Sequence, residues 1–230
     1  MSRVILPVRP EVEASHRAGV RLIGEAGAWW SGADRVAIVE EARRAPACSL
    51  CVTRKAALSP YTGGGEHDHG GQLDAAVVDV IHRLRTDSGR LTERWFNEVI
   101  EGGLSREAYL EVTSLVAQSV IMDTFAVATN QPLATMPDAV AGEPSYETST
   151  DVVDGGAWVP LTRTDVEDTT FGLPRAPNIA RAMGLVPSAV AGFFSVFRPH
   201  YALQSLDLAI NRSQTEMIAA RVSSHNDCFY

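Results

Sequence analysis

An all-α fold is predicted for this chain by two features of its sequence. Apolar residues recur at helical spacing through three successive stretches, residues 73–85, 91–101 and 106–129. No segment shows the polar–apolar alternation that is typical of half-buried strands. The apolar fraction of 45% and the charged fraction of 21% are those of a globular chain with a hydrophobic core. We therefore expect a helical bundle.

The N-terminal part is expected to form a long helix followed by a shorter one. Apolar residues at helical spacing predict the first helix over residues 11–45. Pro46 should interrupt this helix and can open the next one, because proline is tolerated in a first helical turn. This reasoning places Cys48 in the first turn of the second helix. The glycine-rich residues 60–71 are expected to form a loop.

Three helices are predicted in the middle of the chain. The first covers residues 73–85, and the second covers 91–101 and ends at a pair of glycines. Ser105 is a favourable N-cap for the third helix, 106–129. Asp123 lies between apolar turns of this long helix and is expected to cap a neighbouring backbone or to pair with an arginine.

The composition changes after this helix and indicates a boundary. Residues 132–170 contain prolines, scattered glycines and clusters of acidic and hydroxyl residues, which is typical of a linker. Helical patterns return at residues 176–183, 188–197, 200–210 and 213–225. We therefore expect a first helical domain at 1–135, a linker at 136–170, and the N-terminal part of a second helical unit at 171–230.

Charge and cysteine content narrow the class of protein. A net charge of −8 argues against nucleic acid or an anionic membrane as the main partner. No apolar run approaches the roughly 18 residues of a membrane span, and residues 1–10 lack the apolar region of a secretion signal. Three cysteines fit a reducing compartment, so we expect a cytoplasmic protein.

The motif Cys48-Ser49-Leu50-Cys51 is the main candidate site. Residues three apart share a helix face, and a helix N-terminus stabilises thiolates, so the spacing favours a redox-active pair. Two alternatives remain open: a pair kept for packing, and a zinc site completed by His67 and His69. His82, between apolar residues of a helix, is interpreted as a core histidine.

A second candidate motif lies at the end of the sequence. Glu216 precedes Cys228 by twelve residues, and the sequence ends one residue short of a second Cys-x-x-Cys. A carboxylate three helical turns before such a pair is the layout of a thiol peroxidase. A selenocysteine codon read as a stop would produce this ending, so a selenol is a further hypothesis for the attacking group.

Three stretches resemble the alkylhydroperoxidase D / carboxymuconolactone decarboxylase family, in its peroxidase-related branch. They are residues 91–111, 184–188 and 213–230. The resemblance implies an all-helical bundle built around a helix that carries Cys-x-x-Cys. It also implies two tandem units, at about residues 25–135 and 170–230, the second incomplete.

The resemblance implies roles for the two cysteines of the first motif. Two other positions of this motif depart from the family pattern. The second cysteine attacks in this family and the first resolves, which carries over as Cys51 attacking and Cys48 resolving. Glu216 and Cys228 would belong to the second motif. The first motif has Val36 where the family has its glutamate, and Lys55 where it has its histidine. The usual proton relay is therefore absent from the first unit.

The expected function is a thiol- or selenol-dependent peroxide reductase or disulfide oxidoreductase, with no cofactor. Its partners would be a peroxide, a thiol reductant or redox protein, and further copies in a homo-oligomer. A homo-oligomer is also expected because Phe193, Phe194 and Ile218 lack obvious cover. The main alternative is a degenerate scaffold or interaction protein of the same fold. A decarboxylase-like lyase is less favoured, because that branch works without a cysteine pair.

Overall fold

The computed structural model describes residues 4–164, 176–201 and 208–225, and helices dominate these ranges. The helices are α1 (Pro10–Ile23), α2 (Gly32–Arg44), α3 (Ser49–Ala56), α4 (Ala75–Thr86), α5 (Glu93–Glu101), α6 (Arg106–Ala128), α7 (Asn178–Met183), α8 (Pro187–Phe197) and α9 (Arg212–His225). Two short strands, β1 (Val152–Val153) and β2 (Leu161–Thr162), pair antiparallel. The all-α class is confirmed, although the prediction of no strands is wrong at this ribbon.

Helix α6 is the central element, and α2, α4 and α8 all pack against it. Its buried side chains include Tyr109, Leu115 and Met122. It is also the one helix in the described part of the chain that is long and apolar enough to cross a membrane, so the expectation that no apolar stretch approaches that length is wrong here. Within this stretch, 56% is buried inside the protein. A core helix surrounded by others requires the same apolar composition. The predicted pairing of Asp123 is confirmed, because Arg43 donates to both of its carboxylate oxygens, at 2.8 and 2.9 Å.

The predicted single helix over residues 11–45 is wrong, because the chain breaks between α1 and α2. Ser31 caps α2: its hydroxyl accepts from the backbone N–H of Asp34, whose carboxylate accepts from the backbone N–H of Ser31. The turn before this cap wraps around Glu111 of α6, which is buried and paired with Arg35. A Cβ at position 27 would overlap Oε1 of Glu111 and Nη1 of Arg35, so glycine there leaves room for the buried ion pair.

Helix α8 covers the other side of α6. Phe193 and Phe194 are buried, so the expectation that they lack cover is wrong, whereas Ile218 on α9 is exposed. Ser114 donates to the carbonyl of Ala189 at 2.7 Å and fixes the two helices together. Packing therefore joins residues on both sides of the predicted linker.

Residues of the predicted linker also contact the core. Trp158 stacks on Phe96, with ring centroids 5.7 Å apart, and Val152 packs against the same core. The division into domains at 135 and 170 stays a prediction. The predicted helix at 200–210 falls partly outside the described residues, and its described ends are not helical.

Candidate functional site

The two cysteines lie where α2 turns into α3. Pro46 sits in a 3₁₀ turn, Ala45–Ala47, that directly precedes Cys48. Cys48 has an extended backbone, with φ −66° and ψ 126°, and is the N-cap of α3. The prediction that Cys48 occupies the first helical turn is therefore wrong, since the proline closes the preceding turn instead of opening α3. Cys51 lies in that first turn, and both thiols are reduced and buried.

The predicted loop folds over this helix start and brings His67 to both sulfurs. Asp68 anchors the loop, because its carboxylate accepts from the backbone N–H and the hydroxyl of Ser49, at 2.7 and 2.8 Å. An acidic group is stabilised at the free N–H groups of a helix N-terminus. His67 Nδ1 then lies 3.4 Å from Cys48 Sγ and 3.5 Å from Cys51 Sγ.

His82 on α4 supplies a second imidazole. Its ring is completely buried, and its Nδ1 lies 3.2 Å from Cys51 Sγ. Its Nε2 lies 2.8 Å from Glu41 Oε1, and Glu41 is 3% exposed on α2. The other carboxylate oxygen of Glu41 accepts from the backbone N–H of Gly70, at 2.9 Å. Thiol, imidazole and carboxylate thus form a continuous chain across α3, α4 and α2.

Asp79 on α4 holds the other imidazole. Its Oδ1 lies 2.9 Å from His67 Nε2, and its Oδ2 accepts from the indole N–H of Trp95 at 3.0 Å. Arg54 donates to the same carboxylate at 2.6 Å and Arg83 at 3.2 Å. Burial would raise the pKa of Asp79, but the hydrogen bonds from His67, Trp95 and Arg54 outweigh it and lower this pKa well below its usual range. Asp79 is therefore a fixed anion that orients His67.

The same contacts shift the acidity of the thiols and the imidazoles. Burial would raise the pKa of Cys51, but hydrogen bonds with His67 and His82 outweigh it and lower this pKa to about 6. Burial opposes the charge on His67, yet Asp79 and the two thiols raise its pKa to about 10. The pKa of Cys48 is lowered as well, because the backbone N–H of Cys51 and the ring of His67 outweigh burial. Near neutral pH Cys51 is therefore largely a thiolate, and it faces the imidazolium of His67.

Several residues named from the sequence lie away from this cluster. His69 is exposed, and its Nδ1 accepts from the backbone N–H of Gly71 at 3.0 Å. Lys55 is exposed on α3. Val36 packs against the apolar core. Those three positions therefore supply neither a ligand nor a relay group at the sulfurs.

The C-terminal candidates have a different surrounding. Glu216 on α9 accepts from the Tyr201 hydroxyl at 2.8 Å and lies 3.6 Å from Arg212. Cys228 lies outside the described residues. The roles predicted for Glu216 and Cys228 therefore stay predictions.

The residues that sequence reasoning missed are Glu41, Asp79 and the functional use of His82. His82 is buried, as a core histidine would be, but its ring nitrogens contact a thiol and a carboxylate. One signal was present: Glu41 shares the buried side of α2 with Ile38 and Ala42, so a buried cationic or imidazole partner was needed.

No family model matches the chain, and neither a curated protein nor a solved structure matches it. The chemistry of the site is therefore argued from its own geometry. Two reduced thiols lie close together beside two imidazoles, each of which is oriented by a carboxylate. This arrangement is compatible with a redox-active pair and with a metal ligand set.

Proposed function

We propose that this chain is a thiol-dependent peroxide reductase or disulfide oxidoreductase, in which Cys51 attacks and Cys48 resolves. The observation that carries the proposal is the shared contact of both buried sulfurs with the ring of His67, with His82 as a second contact of Cys51. A low thiol pKa beside a resolving thiol is the combination that favours reversible oxidation by peroxide.

The reaction begins with attack of the Cys51 thiolate on one peroxide oxygen. A sulfur–oxygen bond forms and the oxygen–oxygen bond breaks, and the departing alkoxide or hydroxide takes a proton from a neighbouring imidazolium. Cys51 is then a sulfenic acid. Cys48 attacks its sulfur, a disulfide forms, and the hydroxyl leaves as water after protonation. One peroxide is reduced to an alcohol or water plus water, and the two thiols supply both electrons.

The pair His82 and Glu41 would serve as the proton relay. The family that the sequence resembles has its relay histidine and glutamate at the positions of Lys55 and Val36 here. In this chain the carboxylate–imidazole–thiol chain runs from Glu41 through His82 to Cys51, over 2.8 and 3.2 Å. A histidine held by a carboxylate is a better proton shuttle near neutral pH than an exposed lysine. We propose on this basis that the chain is a variant of that family with its relay relocated.

An external thiol would reduce the disulfide and complete the cycle. Both cysteine residues are almost completely buried, at 1% exposure for Cys48 and 5% for Cys51, so a small peroxide can reach their sulfurs more easily than a protein reductant. Reduction would therefore need the loop around His67 to open. The same burial is what a packing pair in a degenerate scaffold would show, and an experiment has to separate the two functions.

Thiol titration before and after one equivalent of hydrogen peroxide is that experiment. We expect two of the three thiols of the chain to be lost and peptide mapping to find a Cys48–Cys51 disulfide. The Cys48→Ser variant should stop at a sulfenic acid on Cys51 that dimedone traps. His69→Ala, with a ring outside the cluster, should behave as wild type. Unchanged thiols, with Cys51→Ser indistinguishable from wild type, would favour the scaffold.

A further inference from the structure

We propose that the reduced site binds one zinc ion through Cys48 Sγ, Cys51 Sγ, His67 Nδ1 and His82 Nδ1. One ligand atom from each of these four residues lies within 4.8 Å of the others, and Nδ1 is the ring nitrogen that faces a sulfur in both histidines. Two thiolates and two imidazoles form one of the ligand sets of tetrahedral structural zinc sites, and two cysteines separated by two residues are a common part of them. The zinc alternative suggested by the sequence used His69, and the geometry replaces it with His82.

Three of the six distances between the ligand atoms are close to the edge lengths of a zinc tetrahedron. Bonds of about 2.3 Å to sulfur and about 2.0 Å to nitrogen give a sulfur–nitrogen edge of about 3.5 Å at the tetrahedral angle. The sulfur–nitrogen distances that involve His67 are 3.4 and 3.5 Å, and that between Cys51 and His82 is 3.2 Å. Three edges are thus already close to the required length.

The outer surroundings of both imidazoles also fit a metal site. Each ring directs Nδ1 toward the sulfurs and Nε2 toward a carboxylate, Asp79 for His67 and Glu41 for His82. Such a carboxylate accepts the N–H of the ring, so that the lone pair of the other nitrogen points at the metal. Both carboxylates are themselves held, Asp79 by Arg54 and Trp95 and Glu41 by Gly70.

The charge balance of the site and its closure by the loop both support a bound zinc ion. A dication balances two thiolates and leaves both imidazoles neutral, which suits rings whose centroids lie 4.3 Å apart. The site is closed by the loop that Asp68 pins to the start of α3, so all four positions of a tetrahedral ion are filled from within the chain. A site with no open position is structural and not hydrolytic.

Zinc and peroxide would compete for the same reduced thiols, and this link alone rests on the proposed function. Oxidation of the zinc-bound pair by hydrogen peroxide consumes two protons and yields the disulfide, free zinc and two waters. The two electrons pass from the sulfurs to the peroxide oxygens, and both sulfur–zinc bonds break. Before the cysteines are oxidised, the bound zinc would hold the loop around His67 closed.

Metal analysis of the full chain, purified under reducing conditions, tests the site. We expect one zinc per chain and, after removal of the metal with a chelator, binding of one cobalt(II) ion. The cobalt complex should show the intense visible bands of a tetrahedral site and sulfur-to-cobalt charge transfer. A chain that binds no metal, or a cobalt spectrum of octahedral type, would overturn the proposal. Both measurements need only the wild-type chain, so a variant that fails to fold cannot obscure the result.

Variants then assign the ligands. His82→Ala and Cys51→Ser should bind cobalt more weakly and with a changed spectrum, with weaker sulfur-to-cobalt charge transfer in Cys51→Ser, because water can take the vacated position. Asp79→Asn, behind His67, should weaken the metal affinity by about 10- to 100-fold. His69→Ala is the matched control, because it removes the same ring from the same loop and should bind as wild type. A cobalt spectrum and affinity in His82→Ala that are both identical to wild type would assign the ion elsewhere.

The outcomes for metal and for peroxide are separable. Metal binding by a chain whose thiols resist peroxide would remove the proposed function and leave the zinc site standing. Thiol loss in a chain that binds no metal would do the reverse.

Discussion

Replacement of His67 and His82 should raise the pKa of Cys51 from about 6 back to at least its ordinary value of 9.0. His67→Ala removes the hydrogen bond with the largest lowering effect, and His67→Ala/His82→Ala removes both. Burial remains in the variants, and burial disfavours the thiolate. Since the thiolate predominates only above its pKa, the variants should lose most of their nucleophile in the neutral range.

The size of the effect follows from the ionised fraction and from the strength of the nucleophile. At pH 7 a thiol of pKa 6 is about 90% ionised, against about 1% at pKa 9. A thiolate three pKa units more acidic is also about 20-fold less nucleophilic, on a Brønsted slope of about 0.45. These two factors alone make the wild type about fourfold faster with peroxide than the double variant at pH 7 and about 30-fold faster at pH 5.5. The double variant also lacks the proposed relay His82, which should lower its rate further at every pH.

The ultraviolet absorbance of the thiolate, followed against pH in chelator-treated protein, measures this pKa directly. The difference from the Cys51→Ser titration gives the contribution of Cys51 together with the change that its loss causes at Cys48, which shares a hydrogen bond with it. The rate with hydrogen peroxide over the same pH range then tests whether the difference between wild type and double variant widens as the pH falls. His69→Ala should reproduce the wild-type curve. A wild-type pKa near 9, or identical curves for wild type and the double variant, would refute the electrostatic account of the site.

Two further predictions concern structure. Asp79→Asn should lower the pKa of His67 from about 10, because Asp79 stabilises the imidazolium; proton NMR of the ring follows this pKa. Because the pKa of His67 is raised, its protonated ring stabilises the fold. This contribution is complete below about pH 6.5 and is lost as the pH rises through about 10. The variant should therefore unfold in less urea than wild type at pH 7 and differ little from it above pH 10. Gly27→Ala should destabilise the fold by about 1–3 kcal/mol, since its Cβ would overlap Glu111. Gly89→Ala, where a Cβ meets nothing, is the control, and equal urea midpoints would contradict the steric argument.

The helices could be predicted because their signal is local. In α5 and α6 the apolar period and the caps Thr92 and Ser105 lie within the helix or directly before it, so the predicted bounds differ little from the observed ones. The break between α1 and α2 was missed although Ser31 and Asp34 form a local capping box at the start of α2. What the sequence does not show is that Glu111, about eighty residues away, binds this turn from α6.

Part of the site could be predicted from the sequence, because only some of its contacts are local. Cys48 and Cys51 lie three residues apart in the sequence, and the start of α3 brings them close without any distant contact. His67 and His69 are equivalent candidates in the sequence, because the choice between them depends on where Asp68 meets the start of α3. His82 reaches Cys51 only through packing of α4 against the start of α3, which no local pattern encodes.

The energetic cost of the site argues that it does more than fill space. Glu41 and His82 are buried at 3% and 0% exposure beside apolar residues of α2 and α4. Buried charged pairs rarely stabilise a fold more than apolar residues of the same volume, because desolvation offsets their attraction. A packing role would be filled as well by a leucine and a valine, without this cost. A sequence that retains the carboxylate, the imidazole and the thiol together therefore favours a chemical role for the chain from Glu41 to Cys51, in proton transfer or in metal binding.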